Sequence, residues 1–248
     1  MSIMLPLHSF VHFFAEQILI VDKIYNWPIK RRTKETLPDF PWHEWEKQSG
    51  GARECIALKK YLTQVWNTSD EVDKKALARW IVADWGGVRS NRAATFDAHW
   101  QLIQLDVKQM PLQGIASYSK ILTLKDCTQY AIYDARVAAC LNAVQLQMKP
   151  EQPVFFPYIP SQNQHFRQWP KRENFVNVFP RRKLVEDRGW LELTKDETYA
   201  TYLNLLHTLK KSFPGCEIYH FEMSLFSLST RLCPQLVTLE LTEENESK

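Results

Sequence analysis

Pro111 to Met148 reads PLQGIASYSKILTLKDCTQYAIYDARVAACLNAVQLQM. Ser117-Tyr118-Ser119-Lys120 opens an apolar run, Ile121 to Leu124, and a polar break follows at Lys125-Asp126-Cys127-Thr128. After Tyr130 to Asp134 the apolar residues fall at 137, 138, 141, 144 and 148, which is helical spacing. The pattern predicts Lys120 near the start of one helix and Asp134 at the start of the next. A lysine and a carboxylate offered from adjacent helix starts can face a single cleft.

Towards the N-terminus, Phe10, Phe13, Phe14, Ile18, Val21 and Ile24 recur at helical spacing. They predict a buried helix over 9–26 that ends before Trp27-Pro28, because a proline disfavours helix in the residue before it. Lys30 to Lys34 reads as a basic, solvated linker, and Pro38 and Pro41 make 36–50 loop-like as far as Gly50-Gly51. A helix over 52–66 turns Cys55, Leu58, Leu62 and Val65 inward. The next is capped by Ser69, carries Asp70 and Glu71 at the positive end of its dipole, and presents Val72, Ala76, Leu77, Trp80 and Ile81 as a stripe. Gly86-Gly87 is its left-handed stop. A helix over 92–106 with Phe96, Trp100 and Ile103 inward completes this half.

Towards the C-terminus, prolines 150, 153, 157, 160, 170 and 180 preclude long helices over 150–190. Arg167, Lys171, Arg172, Arg181, Arg182, Lys183 and Arg188 alternate there with Phe166, Trp169, Phe175, Phe179 and Trp190. That mixture suits a phosphate backbone and unstacked bases, and equally a surface loop anchored by its aromatics. Thr194 to Glu197 is a capping box before a helix with Tyr202, Leu205, Leu206 and Leu209 inward. A last helix over 217–229 buries Ile218, Phe221, Leu225 and Leu228, and the acidic tail from Glu240 frays. The fold class is mainly α, one domain over 1–248, with its core at about 52–148 and 191–230 and an irregular, Pro-rich insertion at 150–190.

Bulk properties restrict the function. A net charge of +3 means that any nucleic-acid footprint is local. There is no GxGxxG and no GKS or GKT phosphate loop. The five cysteines form no CxxC pair, which argues against a disulfide framework, a structural zinc or an iron–sulfur cluster. No metal and no cofactor is assigned. Phe10 to Val21 is too short and too mixed for a membrane span. An intracellular monomer without membrane contact is expected.

Ile115 to Leu122 followed by Tyr130 to Val137 resembles the bacterial 8-oxoguanine-glycosylase-like branch of the helix-hairpin-helix DNA glycosylases. Ala83-Asp84-Trp85-Gly86-Gly87-Val88-Arg89 and His220 to Phe226 are similar to flanking parts of that family, so the resemblance spans 70–230. It implies a helix-hairpin-helix fold, double-stranded DNA with a flipped base as partner, and a cytoplasmic, nucleoid-associated bacterial protein. Lys120 and Asp134 would be the catalytic pair, Lys120 attacking C1′ and Asp134 holding the charge that develops there. Gly114, Ser117, Ser119, Arg136, Arg181, Arg182 and Lys183 would contact DNA, and Trp85, Tyr133 and Phe226 would line a base pocket or pack in the core. The sequence departs from the family hairpin, Leu-Pro-Gly-Val-Gly-x-Lys: Gly114 stands six residues before Lys120, with Ala116 and Tyr118 between. The histidine that often follows the aspartate is Arg136. The implied activity is excision of a damaged or modified base, oxidised guanine or a phage-modified base, with or without lyase activity, in repair or in antiviral defence. The rivals are a non-catalytic DNA-binding protein and a helical protein-interaction module.

Overall fold

Val137 to Gln145 are buried without exception, and a helix apolar on all sides belongs at the centre of a fold. The computed structural model describes residues 4–37, 39–48, 50–89, 91–161, 163, 165–168 and 173–246. The first helices are α1 (Leu7–Gln17), α2 (Val21–Ile24), α3 (Arg31–Glu35), α4 (Ala52–Thr68), α5 (Glu71–Trp80) and α6 (Ala93–Leu102). They are followed by α7 (Ile115–Lys125), α8 (Ala135–Met148), α9 (Phe175–Val178), α10 (Thr198–Ser212) and α11 (Ile218–Glu246). One two-residue parallel pair, β1 (Val154–Phe155) with β2 (Leu191–Glu192), joins the ends of the irregular segment, Val154 opposite Leu191. The chain is mainly helical. Helix α8 is the central rod, α11 and α1 lie along it, and α7 packs against α4.

The core reaches further than 52–148 and 191–230. Phe10, Phe13, Phe14, Ile18 and Val21 belong to it, and Phe14 meets Phe221 edge-on at 5.2 Å. The helix expected over 9–26 is broken by a 3-10 turn at Ile18–Ile20. The basic stretch expected to be a linker is helix α3: the Thr33 hydroxyl donates to Asp84 O (3.0 Å), and Lys34 reaches Glu54 at 3.6 Å. Pro41 leads into a 3-10 helix at Trp42–Gln48, whereas Pro38 lies outside the described residues.

Helix α5 is capped by Asp70, which accepts from Asp73 N at 2.9 Å. Ser69 instead closes α4 by donating its hydroxyl to Val65 O (2.7 Å). The expected stripe is displaced: Val72 and Ala76 are exposed, while Ala78, Trp80 and Ile81 are buried. Trp80 fixes that rotation by donating Nε1 to Thr36 Oγ1 (2.8 Å). At the other end of the chain, α11 runs through Pro234 to Glu246. The acidic tail is ordered because Glu240 and Glu244 meet Lys183 at 2.8 and 2.6 Å.

The irregular segment is tied to α8 by two buried amides one turn apart. Asn142 donates Nδ2 to Phe156 O (2.8 Å) and accepts from Phe156 N (2.9 Å). Gln145 does the same with Val154 O (2.8 Å) and Val154 N (2.7 Å). These side chains stand in for a neighbouring strand, so backbone that would be orphaned inside the protein is paired. Asn142→Leu should cost about 2–5 kcal/mol in urea unfolding, because two buried backbone groups lose their partners at once. A cost near zero would mean that the segment has other means of attachment.

Candidate active site

Lys120 sits in the middle of α7, not at its start. It is only 7% exposed, and its Nζ donates to Ala116 O one turn back. The aliphatic stem lies on Gly86: a Cβ there would fall 2.9 Å from Lys120 Cδ and Cε. Gly86 has ordinary helical φ, and the left-handed residue is Gly87, at φ +72°. The pair therefore divides the expected stop into a stem rest and a turn, just after a π-helical turn at Ile81–Trp85. Burial holds the Lys120 amine below the usual lysine range, while Asp134 and Glu222 work in the opposite direction.

Asp134 is the N-cap of α8. Its Oδ1 accepts from Arg136 N and Val137 N, both at 2.9 Å. Among the described residues nothing donates a hydrogen bond to Oδ2, and Asp134 and Lys120 form no direct ion pair. Three side chains fix the approach to this cap. Ser119 Oγ accepts from Tyr133 N (3.2 Å), Tyr199 donates its hydroxyl to Ala131 O (2.9 Å), and Tyr202 donates to Ile132 O (3.0 Å).

Lys120 and Asp134 line one cleft of about 990 Å³, together with Ser117, Arg89, Arg136 and Arg167. One wall is aromatic: Trp27 meets Phe226 edge-on at 5.4 Å, and the Arg136 guanidinium lies 4.4 Å over the Phe226 ring. Ser117 accepts from Asn91 Nδ2 (3.3 Å) at the cleft surface. Behind the cleft, Lys59 and Glu222 form a buried ion pair.

Other expected residues lie elsewhere. Ser119 and Tyr133 are fully buried outside the cleft lining; Ser119 serves the Tyr133 backbone, and Tyr133 donates its hydroxyl to Pro157 O (3.1 Å). Neither can touch DNA or a base without dismantling the core. Trp85 stands behind Trp27 at 6.0 Å, with its indole Nε1 buried and unpartnered among the described residues. Gly114 is left-handed, at φ +79°, but a Cβ there would fall 2.7 Å from His99 Nε2. A buried imidazole thus occupies the side that a glycine hairpin leaves open. Arg181 pairs with Glu186 (2.7 Å) and Glu192 (2.5 Å), Arg182 reaches Glu186 at 3.9 Å, and Lys183 meets Glu240 and Glu244. These three do not line the cleft; acidic neighbours already compensate their charge. Trp169, Lys171 and Arg172 lie outside the described residues.

Trp27, Gly86, Arg89 and the Lys59–Glu222 pair had no site reading from sequence. Glu222 gave a signal, a lone acid between Phe221 and Met223 on an otherwise apolar helix face. Trp27 was legible only as a helix stop. His8 and His12 stand four apart on α1, exposed, and among the described residues no group of three His, Cys, Asp or Glu side chains could hold a metal. Among the same residues no helix is long and apolar enough to cross a membrane. No protein-family model matches the chain, and no curated protein or solved structure matches it either.

Gly86→Ala tests the stem rest. The added methyl must displace the Lys120 stem or the Ile81 carbonyl, also 2.9 Å away. Overpacking of this kind costs about 1–3 kcal/mol, measurable by urea unfolding. Labelling of Lys120 by a small acylating reagent should change in the same variant, and unchanged stability and labelling together would refute the packing argument.

Proposed function

We propose that the chain is a DNA glycosylase of the helix-hairpin-helix kind, acting on a flipped, damaged or modified base through Lys120 and Asp134. The observation that carries the reading is a buried lysine in the same cleft as a helix-capping carboxylate, with burial favouring its neutral amine. An aromatic wall of Trp27 and Phe226 supports it, because a flipped base needs an apolar surface to replace its lost stacking. Arg89, Arg136 and Arg167 at the cleft offer charge to phosphates.

The chemistry is as follows. Lys120 Nζ, neutral and desolvated, bonds to C1′ as the glycosidic bond breaks, and its electrons leave with the base. Asp134 Oδ2 stabilises positive charge developing on the sugar, in a site of low dielectric where such stabilisation is strong. The new secondary ammonium gives up one proton, and the C1′–O4′ bond breaks with O4′ taking a proton as the C=N bond forms. Loss of a C2′ proton with departure of the 3′-phosphate then nicks the strand. A second reading has its own observation. Lys120 donates to Ala116 O and Asp134 caps α8, so both have structural jobs, as they would in a DNA-binding protein without chemistry.

Borohydride separates the two readings. With abasic or base-modified duplexes, reduction should freeze a protein–DNA adduct that disappears in Lys120→Gln. Asp134→Asn should slow base release by several orders of magnitude while leaving the melting temperature nearly unchanged, since asparagine caps a helix about as well as aspartate. Adduct formation should rise with pH through the depressed Lys120 midpoint and level off below the ordinary lysine range, because only the neutral amine attacks. An adduct that persists in Lys120→Gln, or none with any modified duplex, would end the catalytic reading.

The interface has its own test. Neutralising Arg89 and Arg136 should weaken DNA binding and flatten its dependence on salt, because fewer counterions are released. Neutralising Arg181, Arg182 and Lys183 should change the slope less, since their carboxylate partners already compensate them. The reverse ranking, measured by fluorescence anisotropy across a salt series, would move the DNA to the other face.

A further inference from the structure

Lys59 and Glu222 are in contact and only 5% and 3% exposed. A buried ion pair is weak evidence of stabilisation, because desolvation offsets much of the attraction. Its placement suggests a different use. Glu222 lies one helical turn before Phe226 on α11, on the same helix face, and Phe226 lines the cleft beside Lys120 and Asp134. Lys59 lies one turn before Thr63 on α4, and the Thr63 hydroxyl donates to Thr123 O on α7 (3.2 Å). Thr123 in turn donates its hydroxyl to Lys120 O (2.6 Å). The pair therefore joins α4, which packs against the Lys120 helix α7, to α11, which carries Phe226 into the cleft.

We infer that Lys59 is a positioning residue for Lys120: by holding the Glu222 carboxylate, it keeps that carboxylate from pairing with the Lys120 ammonium. This rests on the proposed role of Lys120 as a neutral nucleophile. Lys120 is faced by two acids, Asp134 from the start of α8 and Glu222 from α11. Glu222 is in contact with Lys59 from α4 and within electrostatic reach of Lys120 from α7, Asp134, Cys55 from α4, Tyr199 and Tyr202 from α10, and Tyr25. Burial pushes the Glu222 carboxyl up, and Lys59 pulls it back towards ionisation. Asp134 is partly committed through Oδ1 to the α8 backbone. An ionised Glu222 released from Lys59 would add to the hold of Asp134 on a charged Lys120. With Lys59 in place, the two buried charges compensate each other and Lys120 is left to the desolvation that favours its neutral form.

The test reads the protonation of Lys120 directly, without DNA. The ε-carbons of 13C-labelled lysines are followed by NMR across pH in the full-length protein, and Lys120 is assigned by its absence in Lys120→Gln. In Glu222→Gln the Lys120 midpoint should move to lower pH, because one opposing acid is gone and an unpaired Lys59 adds repulsion. In Lys59→Met it should move to higher pH. The double variant Lys59→Met/Glu222→Gln, neutral at both positions and free of an unpaired buried charge, should return close to the wild-type midpoint, and it carries the comparison if Lys59→Met does not fold. A folded Glu222→Gln whose Lys120 midpoint stays in place or moves upward would overturn the inference. The two proposals fail separately. Without an adduct on any duplex the glycosylase reading falls while the midpoints still decide the charge pair. With an adduct and immobile midpoints, the charge pair falls alone.

Discussion

The backbone of Ala131 to Tyr133 is the constraint on which the cleft depends. It delivers Asp134 to the N-cap of α8, in the cleft that Lys120 on α7 also lines, yet it is an extended stretch inside the protein. Unpaired backbone there would cost more than the segment could recover from its own packing. The chain solves this with side chains from two helices: Ser119 takes the Tyr133 N–H, while Tyr199 and Tyr202 donate to the Ala131 and Ile132 carbonyls. Each tyrosine also carries a large apolar body, so the contact that satisfies the backbone fills the core as well. The same device recurs at Val154 and Phe156 through Asn142 and Gln145. Buried polar groups are thus concentrated where non-helical chain crosses the interior.

Lys120 is held in a balance rather than in a bond. Desolvation favours its neutral form, and Asp134 and Glu222 favour the ammonium. Its stem is packed on a glycine and its nitrogen meets a carbonyl one turn back, so the side chain is ordered without a carboxylate clamped to it. A direct salt bridge would fix the charge on the amine. Spacing Asp134 away from Lys120, and occupying its Oδ1 with backbone N–H groups, keeps a carboxylate in the cleft without that effect.

Much of the helical frame was legible because apolar spacing reports it directly. The regions 52–66, 115–148 and 198–209 show this, down to Tyr202, Leu205, Leu206 and Leu209 facing inward. Rotation and ends were less legible. The face of α5 is set by Trp80 reaching Thr36, a contact across 44 residues, and no local pattern announces it. The acidic tail of α11 is ordered by Lys183 and Arg188, again a distant match of charge. Within the site, the juxtaposition of Lys120 and Asp134 followed from two consecutive helices. Ser119 and Tyr133, expected at the DNA and the base, are buried residues whose polar atoms serve the backbone, a use that residue type cannot distinguish from contact with a ligand.

The chain before α7 shows side chains from elsewhere packing against a turn. A glycine hairpin exposes backbone N–H groups so that a phosphate or cation can approach. In this chain Ala116 and Tyr118 intervene, the Tyr118 hydroxyl donates to Pro111 O, and His99 covers Gly114. Side chains thereby pack against the backbone before α7 at Pro111 and at Gly114. Positive charge near the cleft comes instead from Arg89 on the turn after Gly87, Arg136 on α8 and Arg167 on the irregular segment. A guanidinium presents its donors in a planar fork on a long stem, so charge carried by three separate elements is distributed along the cleft instead of being gathered at one backbone nest.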